Sequence, residues 1–464
     1  MRGTRSTLML LVVFVALGSY VYFVELERPP ASETPPNERL LDTTADEFSR
    51  LTIGVDDEDT VLTRTDDGGA WQLTAPVASP ADDAQVSSIT SALASLEIRR
   101  VVDDAAVDLT PFGLSEPAVV VGFVLSGDAE ERRLLIGDTT PTGGERYATL
   151  ADSGRVVLIA SNLDTTFGKS AFDLRDKAIL GFDTSDVDQF DVESNGSSMR
   201  LAKNESAWRL QEPWNVRADF STVEGTVGRL STGQMRSVTA EGMTDTDTEG
   251  DTSTDYGLTA PRLTATVRLG SATATLLVGD EAPDGTSYAR DALRSIVFTI
   301  DSSLVTDLER SAEEYRHKDL FDFRPFNASR LEIEHAETTV VFEKAGAEGE
   351  ESEPSWTRVS PESGDTDRSQ MDDLLAKLSN LRAESFIESR DEHNLDETTV
   401  LAAVQVRYNA GGSSDADAEE RVTLWRSGDT TYGVHGDEPG AAVLDTRAVD
   451  DALEALATVQ SDEP

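Results

Sequence analysis

Three tryptophans set the frame of this chain. Trp71, Trp208 and Trp356 stand in GGAWQLTAP, ESAWRLQEP and EPSWTRVSP, each with a proline five positions on: Pro76, Pro213 and Pro361. Fifteen positions after each Trp comes an apolar residue (Val86, Val223, Met371), and twenty-two positions after it a leucine (Leu93, Leu230, Leu378). Offsets kept without gaps in three copies mark an internal repeat, and a spacing of roughly 140 residues makes each copy large enough for a core of its own. The first two copies agree further. Phe112-Gly113-Leu114 matches Tyr256-Gly257-Leu258, Gly137-Asp138-x-x-Pro141 matches Gly279-Asp280-x-x-Pro283, and Tyr147-Ala148 matches Tyr288-Ala289. Leu174-Arg175-Asp176-Lys177 likewise matches Tyr315-Arg316-His317-Lys318. The third copy has decayed: it keeps His393-Asn394-Leu395 and Tyr432-Gly433, lacks the Gly-Asp turn and ends before the Arg-x-Lys segment.

Periodicity supplies the elements. Leu51, Ile53 and Val55 alternate, as do Phe190 with Val192 and Leu331 with Ile333, so a strand and a turn are expected to lead into each Trp strand as a hairpin. Val86, Ile89, Leu93 and Leu96 form a helical stripe, repeated by Met371, Leu374, Leu375, Leu378 and Leu381. Ser79-Pro80 is expected to cap the first helix, with Pro at its first position. Gly225 and Gly228 interrupt the second copy's stripe, at about 1 kcal/mol each against Ala. Further strands are expected at 119–125, 132–136 and 156–159, with counterparts at 263–269, 273–278 and 296–300. The Trp is expected to pack each helix onto its sheet. The fold class is therefore α+β, with tandem β-β-α-β-β-β repeats and mostly antiparallel sheets. The expected units are residues 46–186, 187–328 and a degenerate third at 329–464.

Arg2 and Arg5 precede an uncharged run at residues 7–24, TLMLLVVFVALGSYVYFV. At about 1.5 Å per residue it spans about 27 Å, close to the bilayer's hydrocarbon thickness. Residues 1–24 are thus expected to be a single transmembrane signal anchor with the N-terminus inside. Residues 25–45, with four prolines, form a stiff tether. The bulk of the chain is then periplasmic, on the cytoplasmic (inner) membrane. The rival is a cleaved signal peptide with Ala16-Leu17-Gly18 as its site, against which the apolar run continues past that point. Acidic residues number 87 against 40 basic, for a net charge of −47, which argues against nucleic acid as a partner. The absence of cysteine excludes disulfides, thiolate metal sites and a Cys nucleophile.

Taken together, the anchor, the Trp-x-Leu-x-x-Pro hairpin, the Tyr/Phe-Gly-Leu-x-x-Pro turn, the Gly-Asp-x-x-Pro-x-Gly turn, Tyr-Ala and Leu-Arg-Asp-Lys resemble the bacterial domain of unknown function 4340 (DUF4340) family. The resemblance covers nearly the whole chain after residue 45, most weakly the third unit. It implies a partner role in an envelope complex beside a gliding-type ABC transporter. It supplies no activity and no functional residues.

Candidate sites follow. Gly137, Asp138 and Pro141, with Gly279, Asp280 and Pro283, read as turn-formers, with a shared interaction rim as the alternative. Arg175, Lys177, Arg316 and Lys318 read as junction pairs, with docking contacts as the alternative. Residues 245–251 (DTDTEGD) imitate the start of a calcium loop, but Tyr256 stands where the clamping Glu is needed. Gly168-Lys169-Ser170 echoes a phosphate loop, but Leu163 replaces the required Gly. His317, His335, His393 and His435 have no helical partner or zinc-like spacing and are expected as lone surface residues. No catalytic, cofactor or metal set is expected. The expected function is a non-enzymatic extracytoplasmic scaffold or accessory subunit. The alternatives are a hydrolase using paired carboxylates on a cell-wall polymer, or a cation- or glycan-binding module.

Overall fold

A computed structural model describes residues 38–55, 58–65, 69–151, 153–204, 206–241, 255–344, 355–409 and 417–461. The apolar run 7–24 and the acidic loop 245–251 lie outside these residues, as does most of the tether. Among the described residues no helix is long and apolar enough to cross a membrane. The chain divides between Lys177 and Ala178 into two compact units.

The first unit holds one nine-stranded sheet built from β1 (Phe48–Val55), β2 (Glu58–Arg64), β3 (Trp71–Ala75), β4 (Ser79–Pro80), β5 (Arg100–Asp103), β6 (Val119–Leu125), β7 (Arg132–Thr139), β8 (Glu145–Leu150) and β9 (Val156–Ala160). Its strand order is β4-β3-β2-β1-β6-β7-β8-β9-β5, with every pair antiparallel. Helix α1 (Asp83–Ala94) lies between β4 and β5 in sequence. The second unit repeats this order twice, in sheets at 189–300 and 328–444, with α2 (Phe220–Ser231) and α3 (Arg368–Ser379) in the place of α1. Among the described residues only the third sheet is followed by a long helix, α4 (Thr446–Gln460), which shares a core with α3.

Among the described residues each repeat thus has nine strands where periodicity gives five; of the four extra, β2 stands between the expected 51–55 strand and the Trp strand and is the one that pairs with the latter. The other three carry weak signals. β4 is two residues long, β5 buries none of its side chains, and β8 shows no alternation.

The Trp frame does what its spacing implies. Trp71, Trp208 and Trp356 are all buried, and Trp71 shares a core with Val86, Ile89 and Leu93 of α1. Trp356 does the same with Met371, Leu374 and Leu378 of α3. The Trp208 indole N–H donates to Glu224 Oε1 at 2.8 Å, on α2 itself. The prolines at 76, 213 and 361 all follow cis peptide bonds.

Ser79-Pro80 does not cap α1; it pairs with β3 as an edge strand. The cap is Asp82, whose carboxylate accepts from the backbone N–H of Ala84 and Gln85. Asp219 caps α2 and Asp367 caps α3 in the same way. All three stand eleven positions after their Trp, an offset legible in the sequence beside the others.

Candidate functional site

The matched turns of the repeats converge within each copy. In the first, Gly113 has a positive φ of 68°, and a Cβ there would sit 2.5 Å from the Asp138 side chain. A Cβ on Gly137 would meet the Phe112 carbonyl at 2.2 Å, and the Phe112 ring packs on Tyr147 with centroids 5.1 Å apart. The second copy repeats this: Asp280 N–H donates to Tyr256 O at 2.9 Å, and Tyr256 packs on Tyr288 at 4.8 Å. The third keeps the corner with other residues. Asn394 takes the left-handed conformation (φ 50°), and His393 packs on Tyr432 at 5.7 Å. Gly137, Asp138, Gly279 and Asp280 are therefore engaged within their own repeats, whereas Pro141 and Pro283 are exposed.

The Arg-x-Lys segments continue the sheet edges. Ala81 bridges Arg175 and Ala218 bridges Arg316, next to the helix-capping aspartates. Arg175 and Arg316 are buried, at 6% and 4% exposure. Lys177 turns back locally, its Nζ donating to Asp173 O at 2.9 Å, while Lys318 is exposed. Ser170 accepts from Asp173 N–H as a helix cap, so its hydroxyl serves a turn.

Within the second unit, the linker after Arg316 brings together residues far apart in the chain. Arg217, at the end of the short strand Val216–Arg217, donates from Nη1 to Asp322 Oδ1 at 2.8 Å. Its backbone N–H and Nε donate to Glu438 Oε1 at 2.8 and 3.2 Å, and Nη2 donates to Asp319 O at 3.1 Å. His317 Nε2 lies 3.4 Å from Asp322 Oδ1, and its Nδ1 lies 4.0 Å from Asp219 Oδ2. Glu420, on the strand Asp417–Ser427, accepts from the backbone N–H groups of Asp322 and Phe323, both at 2.9 Å. Its Oε2 is also 3.2 Å from His435 Nε2. Register explains that pair: His435 stands opposite Val422, which puts it diagonal to Glu420 on one sheet face.

The electrostatics follow. Burial would raise the Asp322 pKa, but the His317 hydrogen bond and the charges of Arg217, His317 and His435 outweigh it and hold it at about 2. Burial, with the charges of Glu420 and Asp322, pushes the Tyr408 phenol up to about 12, against a lowering by Arg217.

Arg316 stands beside this network in a cleft it shares with Lys318, Phe386, His435, Glu438 and Gly440. Its guanidinium lies 3.8 Å from the Phe386 ring centroid and 5.5 Å from that of Trp214. Among the described residues no acceptor is hydrogen-bonded to that guanidinium. Burial lowers its pKa, against the charges of Glu438, Glu313 and Glu388, and it stays charged at neutral pH.

These contacts correct the lone-surface expectation for His317, His335 and His435, whereas His393 is a surface residue as expected, though it packs on Tyr432. His317 and His435 are half-buried against carboxylates, His335 Nδ1 lies 2.8 Å from Leu401 O, and His393 fills a repeat's aromatic corner. Their partners, Asp322 in the linker, Glu420 on a neighbouring strand, the Leu401 carbonyl and Tyr432, do not lie at helical spacing, so a search for that spacing misses them.

Comparison with known proteins places residues 71–207 and 208–398 in the family described as Domain of unknown function (DUF4340). Each matched segment begins at or next to a repeat tryptophan, Trp71 in one and Trp208 in the other. No curated protein and no solved structure matches the chain.

Proposed function

We propose that this chain, which belongs to the domain of unknown function 4340 family, is a membrane-anchored extracytoplasmic accessory subunit that docks an envelope partner through the Arg316 cleft. The observation that carries the reading is the Arg316 guanidinium. A guanidinium presents five N–H donors in a fixed fork that matches carboxylates and carbonyls. Here that group lies 3.8 Å from the Phe386 ring centroid and 5.5 Å from that of Trp214, with no acceptor bonded to it among the described residues. A carboxylate or backbone carbonyl of a partner satisfies that fork, and the neighbouring rings favour the cation electrostatically. Exposed Lys318 at the same cleft adds a steering charge.

The repeat motifs support this reading by exclusion from it. The tryptophans, the capping aspartates and the Gly-Asp turns are engaged in building their own repeats. Residues 7–24 supply the anchor in this proposal, with the repeats outside the membrane. The partner proposed from the family resemblance is a gliding-type ABC transporter.

Affinity capture of the full-length protein from solubilised membranes tests the proposal. Recovery of transporter or other envelope subunits is expected, and Arg316→Met, which keeps an apolar stem beside the rings but removes the donors, is expected to abolish it. Equal recovery by Arg316→Met at wild-type abundance, or recovery of no envelope component by the wild type, overturns it.

A further inference from the structure

Three carboxylates are buried among the described residues: Asp291, Asp307 and Glu420. Two are neutralised by fixed cations. Asp291 pairs with Arg294 at 2.8 Å, and Asp307 pairs with Arg310 at 2.7 Å and with Arg229. Glu420 is more enclosed than either as a side chain, at 2% exposure, yet no Lys or Arg pairs with it among the described residues. A buried carboxylate without a cation is costly. What faces Glu420 instead is the His435 imidazole, with the Asp322 carboxylate beyond it.

From this set we infer that Asp322, Glu420 and His435 form a binding site for a divalent transition-metal ion of the zinc class. One ligand atom from each residue lies within 4.8 Å of the other two. Four-coordinate zinc holds N and O ligands at about 2.0–2.2 Å, which spaces neighbouring donors roughly 3.4 Å apart. His435 Nε2 and Glu420 Oε2 already stand 3.2 Å apart. Asp322 is the exposed member, and one of its carboxylate oxygens lies within 4.8 Å of the other two donors. One imidazole and two carboxylates suit zinc, with water in the fourth position.

Glu420 is prepared for this role by its surroundings. The backbone N–H groups of Asp322 and Phe323 each bond one of its oxygens, and each oxygen keeps a further lone pair. Metal-binding carboxylates are commonly oriented by such outer hydrogen bonds. Arg217 reaches the site itself: its Nη1 donates to Asp322 Oδ1 at 2.8 Å, while its Nε and backbone N–H are held by Glu438, which counters its charge. The three donors come from two segments: the linker between the second and third sheets and the third sheet itself. A bound ion therefore ties that linker to the sheet it enters. This site is independent of the Arg316 docking reading, because its readout needs no partner.

The test is calorimetric titration of full-length protein, freed of metal with EDTA, with zinc chloride. Excess calcium occupies the acidic surface during the titration. The expected result is one zinc ion per chain, with affinity reduced at least roughly tenfold in His435→Ala and Glu420→Gln and unchanged in His335→Ala and His393→Ala. Asp322→Asn, at an exposed side chain, provides a variant that keeps its fold and is expected to lose affinity as well. A wild-type titration indistinguishable from that of a folded Asp322→Asn protein overturns the inference, as does loss of zinc binding in His335→Ala.

Discussion

Asp322 and Asn394 show how much single residues do here. The folded pKa of Asp322, about 2, lies below its unfolded value of about 3.9, so the unfolded chain takes up the proton first. The stabilisation it gives is complete above about pH 4 and is lost as pH falls toward 2. Thermal melts should therefore separate wild type from Asp322→Asn at pH 7 and bring the two together by about pH 2. A gap that persists at low pH would contradict the assigned network. Asn394 replaces the glycine that the other copies use at a left-handed position. Gly257→Ala meets both that conformation and the Asp280 side chain 2.6 Å away, so denaturant unfolding should show a loss of about 2 kcal/mol or more. Asn394→Gly should stay within about 1 kcal/mol of wild type, since both residues tolerate this conformation.

At the scale of elements, the sequence is readable where burial imposes a period. The stripes of α1 and α3 and the alternation of β1 appear in the fold as they appear in the chain. The reading fails where an element is short or exposed, as in β4, β5 and β8. It also favours Ser79-Pro80 over Asp82 as a cap, because local cap chemistry fits both and only the Trp offset decides between them. Asp219→Ala should cost α2 about 1 kcal/mol, since its carboxylate accepts from Thr222 N–H and from two hydroxyls. The two glycines of α2 lie where an added Cβ would meet nothing within 4 Å. Gly225→Ala should therefore stabilise the second unit by about 1 kcal/mol in the same unfolding experiment. Destabilisation there would mean that the outward face of α2 is covered.

Across the molecule, the repeats are legible and the candidate site is not. Repetition is a property of sequence order, and the tryptophans, prolines and turns display it directly. The Arg217 network joins residues up to 221 positions apart, and no spacing rule connects Arg217 to Glu438 or Asp322 to His435. The Arg316 and Lys318 pair is visible as basic residues in an acidic chain, but the rings beside Arg316, Phe386 and Trp214, carry no motif. Arg217 links its own repeat to the linker and to Glu438 within the second unit. Arg217→Ala should split the thermal unfolding of this unit into two calorimetric transitions, whereas one unchanged transition would show the link to be dispensable.

The central claim is that recognition resides in the cleft around Arg316 and Lys318, while the repeated turns serve folding. A photo-crosslinking amino acid placed at Lys318, and separately at the exposed Pro141 and Pro283, reads this out in intact cells. The account predicts crosslinks to an envelope protein from position 318 and none from the two turn positions. Crosslinks from the turns, with none from 318, would contradict it.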